Sequence, residues 1–175
     1  MQNADSNGPR AEPTKWLDLD ERQAWLAVAS IVFTLPAALD ARLQKDADLT
    51  FFDYMVLSVL SEQDDRTMQM SDIAQGVSAS LSRLSHVATK LEKQGYLTRT
   101  RVPGSGRRTS ATLTEAGLEK VVAAAPDHVS AVRAYLIDAL TPEDLSMLAR
   151  IGPAVARRID PTRPVIYDQH SGEMV

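Results

Sequence analysis

A pair of short predicted helices, separated by only a few residues, constrains the fold of this chain more than any other feature. Ser71 can cap the first of them, which ends near Gly76, and either Ser78 or Ser80 can cap the second. The second helix carries apolar residues at helical spacing and stops at Gly95, a typical C-terminal glycine. Two helices joined by so short a turn form a helix-turn-helix arrangement.

A β-hairpin is predicted directly after this pair. Residues 97–102 and 108–113 read as strands, and Pro103-Gly104-Ser105-Gly106 between them has the composition of a turn. Residues 67–69 can form a further short extended piece. The sequence therefore predicts a mainly α fold with a small β-hairpin wing, that is, a winged helix-turn-helix domain with helices on either side.

The flanking helices have clear start signals. The first opens near Asp20, which has capping-box spacing to Gln23, and is apolar around much of its circumference. We expect it to be buried against both its own core and a second subunit. Thr50, Thr114 and Thr141 can cap the others.

Prolines inside the helical patterns predict distortions. Pro36 removes one helical hydrogen bond and predicts a kink near residues 32–36. Pro126 predicts a kink or a break near residues 124–125. Whether either acts as a hinge or as a fixed bend is left open by the sequence.

Charge is unevenly distributed. The chain has a formal net charge of -4, yet residues 80–108 hold seven basic side chains against Glu92 alone, a local charge of +6. Residues 1–79 and 109–175 sum to -7 and -3. An acidic protein with one basic window is attracted to a polyanion through that window and is oriented by it.

The composition excludes several other classes. There is no cysteine, so disulfides, thiolate metal sites and a cysteine nucleophile are ruled out. The three histidines lie far apart, and no phosphate loop or serine elbow is present, so we expect no catalytic site, no metal and no cofactor. The N-terminus is polar, and no apolar run approaches the ~20 residues that cross a bilayer. We therefore expect a cytoplasmic protein that does not bind membranes.

The second helix of the pair suits the DNA major groove, since its inner side is apolar and its outer side is polar and basic. Arginines at the hairpin tip can enter a minor groove or bind phosphate. The candidate DNA-binding residues on this helix and hairpin are Ser80, Ser82, Arg83, Ser85, His86, Thr89, Lys90, Arg107 and Arg108.

An ordered set of motifs resembles the MarR family of winged-helix transcriptional regulators. The motifs are Met70-Ser71-Asp72-Ile73-Ala74, Ser80-Leu81-Ser82-Arg83-Leu84-Ser85-His86-Val87, Leu91-Glu92-Lys93-Gln94-Gly95-Tyr96-Leu97, Gly106-Arg107-Arg108 and Leu113-Thr114-Glu115-Ala116-Gly117. The resemblance covers about residues 18–160. It implies a homodimer joined by the first, fifth and sixth helices, recognition of pseudo-palindromic DNA, and often release by a small aromatic ligand. One departure is Ser105, where many members have an acidic residue that orients the wing arginines.

The domain organisation that follows has five parts. We expect a disordered tail over 1–17, an N-terminal dimerisation helix over 18–48, the winged helix-turn-helix domain over 49–113, C-terminal dimerisation helices over 114–160 and a flexible tail over 161–175.

We expect a dimeric, sequence-specific regulator that binds pseudo-palindromic operators in double-stranded DNA. Of the two signs of regulation, repression is favoured. The candidate ligand-binding residues are Trp25, Phe52, Tyr54 and His128, each of which core or interface packing also explains. The alternative is a winged-helix module for protein contacts without sequence-specific DNA binding, which the +6 window argues against.

Overall fold

The computed structural model describes residues 14–101 and 108–161 of the chain. Its elements are α1 (Leu19–Ala47), α2 (Phe51–Ser61), β1 (Thr67–Gln69), α3 (Met70–Gly76), α4 (Leu81–Lys93), β2 (Leu97–Arg101), β3 (Thr109–Leu113), α5 (Glu115–Tyr135), a 3-10 turn (Ile137–Ala139) and α6 (Pro142–Ile159). A boundary between two compact units falls after Thr34, inside α1.

The three strands form one antiparallel sheet in the order β1-β3-β2. Thr67 pairs with Thr112 across β1 and β3, and Leu97 pairs with Leu113 across β2 and β3. The mainly α fold with a β-hairpin wing is thus confirmed. The short extended piece at residues 67–69 is β1, which pairs with β3 and so joins the hairpin to the helix pair.

Short-range capping chemistry explains most helix starts. Thr50 and Asp53 form a reciprocal capping box at the start of α2, with hydrogen bonds of 3.0 and 2.9 Å. Thr114 caps α5, and Thr141 caps α6 through a second capping box. These three predictions are confirmed, because each cap needs only residues that are neighbours in the sequence.

Two predicted helix caps were wrong, although α1 does begin near Asp20 as predicted. At α1 the capping box joins Asp18 and Glu21, whose side chains accept from each other's backbone N–H groups at 2.8 and 3.0 Å; Asp20 and Gln23 lie inside the helix. At α3 the helix begins at Met70, because β1 leads straight into it, and Ser71 instead donates to the Asp72 carboxylate.

The turn between α3 and α4 is now defined. Ser80 caps α4 by accepting a hydrogen bond from the Arg83 backbone N–H at 3.2 Å. Ser78 takes up a positive φ of 53° within the turn. Gly95 has a φ of 80°, as expected of a glycine just after a helix.

The prolines do not interrupt their helices. α5 runs unbroken from Glu115 to Tyr135, so a break near residues 124–125 is wrong, and α1 is helical through Pro36. A proline costs a helix one hydrogen bond, which the intact turns on both sides outweigh here.

One buried cluster holds α2 to α5 and the sheet together. It includes Leu57, Leu60, Ile73, Leu84 and Leu91. The inner side of α4, with Leu84, Ala88 and Leu91 all buried, matches the predicted stripe. Because these three side chains face the core, the remaining side of α4 faces outward.

Gly117 allows a close approach between α5 and the hairpin. A Cβ atom at this position would lie 2.0 Å from the Tyr96 carbonyl oxygen and 2.7 Å from the Leu113 side chain. Because the nearest atom belongs to the backbone, only glycine fits without moving the chain.

Two helices leave apolar side chains exposed. Before Thr34, α1 exposes a large apolar set: Trp25, Leu26, Val28, Ile31, Val32 and Phe33. α6 has no buried residue and exposes a second set: Met147, Leu148, Ile151, Val155 and Ile159.

α1 also corrects one expectation about the sequence. It contains an 18-residue window with a mean hydropathy of 1.7. By length and composition alone, α1 could cross a bilayer. This is weak evidence for a membrane, since helices buried in soluble assemblies are equally apolar.

Candidate nucleic-acid interface

The outer surface of α4 is polar. Since Leu84, Ala88 and Leu91 point inward, the exposed side chains include Ser82, Arg83, Ser85 and His86. Thr89 is half-buried, and its hydroxyl donates to the Ser85 carbonyl oxygen at 2.8 Å. A helix of this kind presents hydroxyl, imidazole and guanidinium groups along one side, which are groups that contact bases and phosphates.

Arg83 lies over an aromatic ring of α2. The guanidinium carbon is 4.4 Å from the centroid of Phe52. This is a cation–π contact, in which the face of the ring attracts the positive charge. Phe52 is also one of the candidate ligand-binding residues, and its ring lies beneath this arginine.

Lys90 is held by a buried carboxylate. Its Nζ donates to Asp53 Oδ2 at 2.6 Å, and Asp53 is only 1% exposed. The same carboxylate oxygen accepts the Thr50 backbone N–H, so Asp53 joins the cap of α2 to α4. Sequence reasoning missed Asp53, because the two partners are 37 residues apart.

A second network ties α4 to the wing. Arg99 on β2 donates through Nη2 to Glu92 Oε2 at 2.7 Å and to the Thr89 hydroxyl at 3.0 Å, while its backbone N–H reaches Glu92 Oε1. The side-chain hydrogen bond from Arg99 lowers the pKa of Glu92 below its usual 4.5. Arg99 and Glu92 entered the sequence-based prediction only in the sum of charges. Their positions on either side of the Gly95 turn could have indicated that the two side chains meet.

The basic window is therefore divided. Lys90 and Arg99 are engaged in ion pairs, whereas Arg83, Lys93, Arg101 and Arg108 form no ion pair within residues 14–101 and 108–161. Arg107 lies outside the described residues.

An open cleft runs between the helix pair and the wing. It encloses about 430 Å³ and is lined by Gln69, Met70, Ser71, Leu81, Ser85, Arg99, Arg108 and Thr109. Leu81, the first residue of α4, is half exposed at this cleft. Among the cations without an ion pair in the described residues, Arg108 lines this cleft, together with Leu81 and Ser85 of α4.

Two of the candidate ligand-binding residues, Tyr54 and His128, lie against each other. Tyr54 is buried, and the centroid of its ring lies 4.4 Å from the centroid of the His128 ring. Trp25 is exposed on α1. The cavity beside His128 encloses about 10 Å³ in this conformation, which is room for one water molecule.

Burial controls the titration of this pair. The Nδ1 atom of His128 is buried without a hydrogen-bond partner within the described part of the chain. Desolvation lowers the pKa of His128 below its usual 6.5 and raises that of Tyr54 above 10.0. Both groups are therefore neutral near pH 7. In the same part of the chain no cluster of three or more metal-ligating side chains occurs.

Known proteins share this arrangement. Residues 53–136 match a family model described as a winged helix DNA-binding domain. A crystal structure of Sco3205, a MarR family transcriptional regulator from Streptomyces coelicolor in complex with DNA, is 33% identical, with a TM-score of 0.81 over 89% of this chain and 98% of that chain. No match was found among curated proteins.

Two further structures differ in how close they are. AbsC, a MarR family transcriptional regulator from the same organism, is 37% identical, with a TM-score of 0.78 over 85% of this chain and 100% of that chain. BpsR from Bordetella bronchiseptica, whose DNA binding is regulated by 6-hydroxynicotinic acid, is 17% identical, with a TM-score of 0.67 over 77% of this chain and 98% of that chain. At that identity BpsR supports the fold alone.

Proposed function

This chain belongs to the MarR family of winged-helix, DNA-binding transcriptional regulators, and we propose that it acts as a homodimeric repressor of pseudo-palindromic operators. The observation that carries the proposal is the exposed polar side of α4 next to cations without ion-pair partners in the described residues. The rest of the chain is acidic, so this surface is where duplex DNA is attracted.

The proposed roles follow the contacts of each side chain. Ser82, Arg83 and His86 face base edges in the major groove, and Ser85 reaches phosphate beside the cleft. Arg108, together with Arg107, contacts phosphate or the adjacent minor groove.

The other candidate residues have supporting roles. Ser80 caps α4 and Thr89 accepts from Arg99, so both position the helix that reads DNA. Lys90 adds positive charge near the duplex, but its ion pair with Asp53 makes positioning its main role.

The proposed dimer rests on α1, α5 and α6. Most helical stability in proteins comes from packing an apolar face, and α6 has no buried residue in the single chain. A second copy that covers its apolar side chains, and those of α1 before Thr34, supplies the missing burial. In this proposal residues 49–113 bind DNA and the helices before and after them dimerise. The protein is then cytoplasmic, and the apolar surface of α1 faces its partner and not a lipid.

A small aromatic ligand is proposed to release the repressor. The proposal takes its ligand class by analogy from BpsR, which shares the fold and whose DNA binding is regulated by 6-hydroxynicotinic acid. The ring pair Tyr54–His128 is the proposed contact, with Trp25 and Phe52 as further candidates, and the 10 Å³ cavity requires that the pocket opens when ligand binds. A panel of aromatic acids that changes neither melting temperature nor DNA affinity would refute the ligand.

The test begins with genomic footprinting of the purified protein, followed by titration of the operator and of a scrambled duplex. Arg83→Ala should weaken operator binding more than binding to the scrambled duplex. Arg108→Ala should weaken both and reduce the salt slope by about 0.9 per protomer. Arg150→Ala on α6 is the matched control and should change neither.

Sedimentation at the concentration used for titration checks the dimer. Monomers at that concentration contradict it. Equal affinity for the operator and the scrambled duplex contradicts sequence-specific binding and favours the alternative, a module for protein contacts.

A further inference from the structure

Consecutive residues of α2 hold two cations of α4. Phe52 lies beneath Arg83, and Asp53 accepts a hydrogen bond from Lys90. Arg83 and Lys90 are seven residues apart, which places them on the same side of α4, two turns from each other. The first turn of α2 therefore fixes this side of the helix at two points.

The support beneath Arg83 is itself rigid. The capping box of Thr50 and Asp53 fixes the first turn of α2, and the Phe51 backbone N–H donates to Asp40 Oδ1 at 2.7 Å. Asp53 is buried and bound to Lys90. The Phe52 side chain also packs against the buried cluster, which restricts the movement of its ring.

Arg83 keeps its N–H donors available beside Phe52. The guanidinium carbon lies over the ring, 4.4 Å from its centroid, and the N–H donors lie along the edge of the guanidinium plane. None of these groups has a hydrogen-bond acceptor within the described residues. The bidentate contact to guanine O6 and N7 uses that same edge.

We propose that Phe52 is a positioning residue that presents Arg83 to a guanine in the major groove. The inference rests on the proposed function and goes beyond it, since it assigns base specificity to a residue of α2 that acts through Arg83. An arginine held over the ring has less rotamer freedom in the free protein, so it loses less when DNA binds. Loss of this preorganisation should weaken operator binding about threefold to tenfold.

The experiment compares wild type with Phe52→Leu, Phe52→Tyr and Phe51→Leu on the footprinted operator and on a scrambled duplex. Phe52→Leu should weaken operator binding by that factor and leave the salt slope unchanged, since no phosphate contact is lost. Phe52→Tyr keeps the aromatic face and should restore binding relative to Phe52→Leu. Phe51→Leu is the control, since the Phe51 ring faces His128.

Coupling to Arg83 is the decisive measurement. The double variant F52L/R83A should bind the operator no more weakly than Arg83→Ala alone. Additive losses in the double variant, or equal losses on operator and scrambled duplex for Phe52→Leu, overturn the inference.

A measurement without DNA separates this inference from the proposed function. The ring current of Phe52 should shift the Arg83 side-chain proton resonances upfield in the free protein, and Phe52→Leu should abolish the shift. No shift in wild type overturns the positioning role, even if the protein binds its operator. Wild type that shows the shift but does not distinguish operator from scrambled duplex overturns the proposed function, and the assigned guanine contact with it.

Discussion

Replacing Lys90 with alanine tests whether this lysine mainly stabilises the fold through Asp53 or mainly contacts DNA. Its amino group is 2.6 Å from a carboxylate oxygen of Asp53, and the Asp53 side chain is 1% exposed while that of Lys90 is 44% exposed. Removing the lysine leaves a buried negative charge that keeps only the hydrogen bond from the Thr50 backbone N–H among the contacts described.

The magnitude follows from the asymmetry of this pair. Breaking a fully buried ion pair costs about 3–5 kcal/mol, whereas a hydrogen bond to a charged group contributes about 1.5–3 kcal/mol. Because Lys90 is partly solvated, the lower range applies, and we expect a loss of about 2 kcal/mol in the free energy of unfolding. For a chain of this size, that lowers Tm by about 4–8 °C.

Calorimetry at one fixed protein concentration measures this loss, with Lys93→Ala as the control. Lys93 is exposed and has no ion pair in the described residues, so its removal should change stability by about 0.5 kcal/mol at most. The double variant D53N/K90M, which removes both charges, should recover part of the loss. An unchanged Tm for Lys90→Ala, together with a salt slope reduced by about 0.9, would mean that Lys90 contacts phosphate and would refute the reasoning.

Two further predictions concern stability. Gly117→Ala should lower the free energy of unfolding by about 3 kcal/mol or more, because its Cβ would meet the Tyr96 carbonyl oxygen, whereas Gly152→Ala in the open α6 should be neutral or stabilising; equal Tm values in calorimetry contradict this. Burial lowers the pKa of His128, so the unfolded chain binds its proton more tightly, and stability should fall as the pH drops below 6.5. His128→Phe should lose less Tm than wild type between about pH 7.5 and about pH 5.5, and identical losses would show that His128 is not responsible.

The sequence by itself determined the order of the elements and most helix ends. Thr50, Thr114 and Thr141 cap their helices through groups three residues away, and Gly95 ends α4 through its own backbone conformation. The inner stripe of α4 follows from helical spacing alone. Such features are readable because their physical cause lies within one or two turns of chain. At the start of α3, where Ser71 was the predicted cap, β1 runs directly into the helix and the tertiary setting decided instead.

Only the tertiary structure decided which charges of the basic window are free. The sequence counts Arg83, Lys90 and Arg99 as equal cations, yet they face an aromatic ring, a buried carboxylate and a partly exposed glutamate. Asp53 and Lys90 are 37 residues apart in the chain, and their contact exists only because α2 packs against α4. Periodicity specifies the side of a helix that is buried, but the partner that meets a given side chain depends on how whole elements pack, which no local pattern encodes.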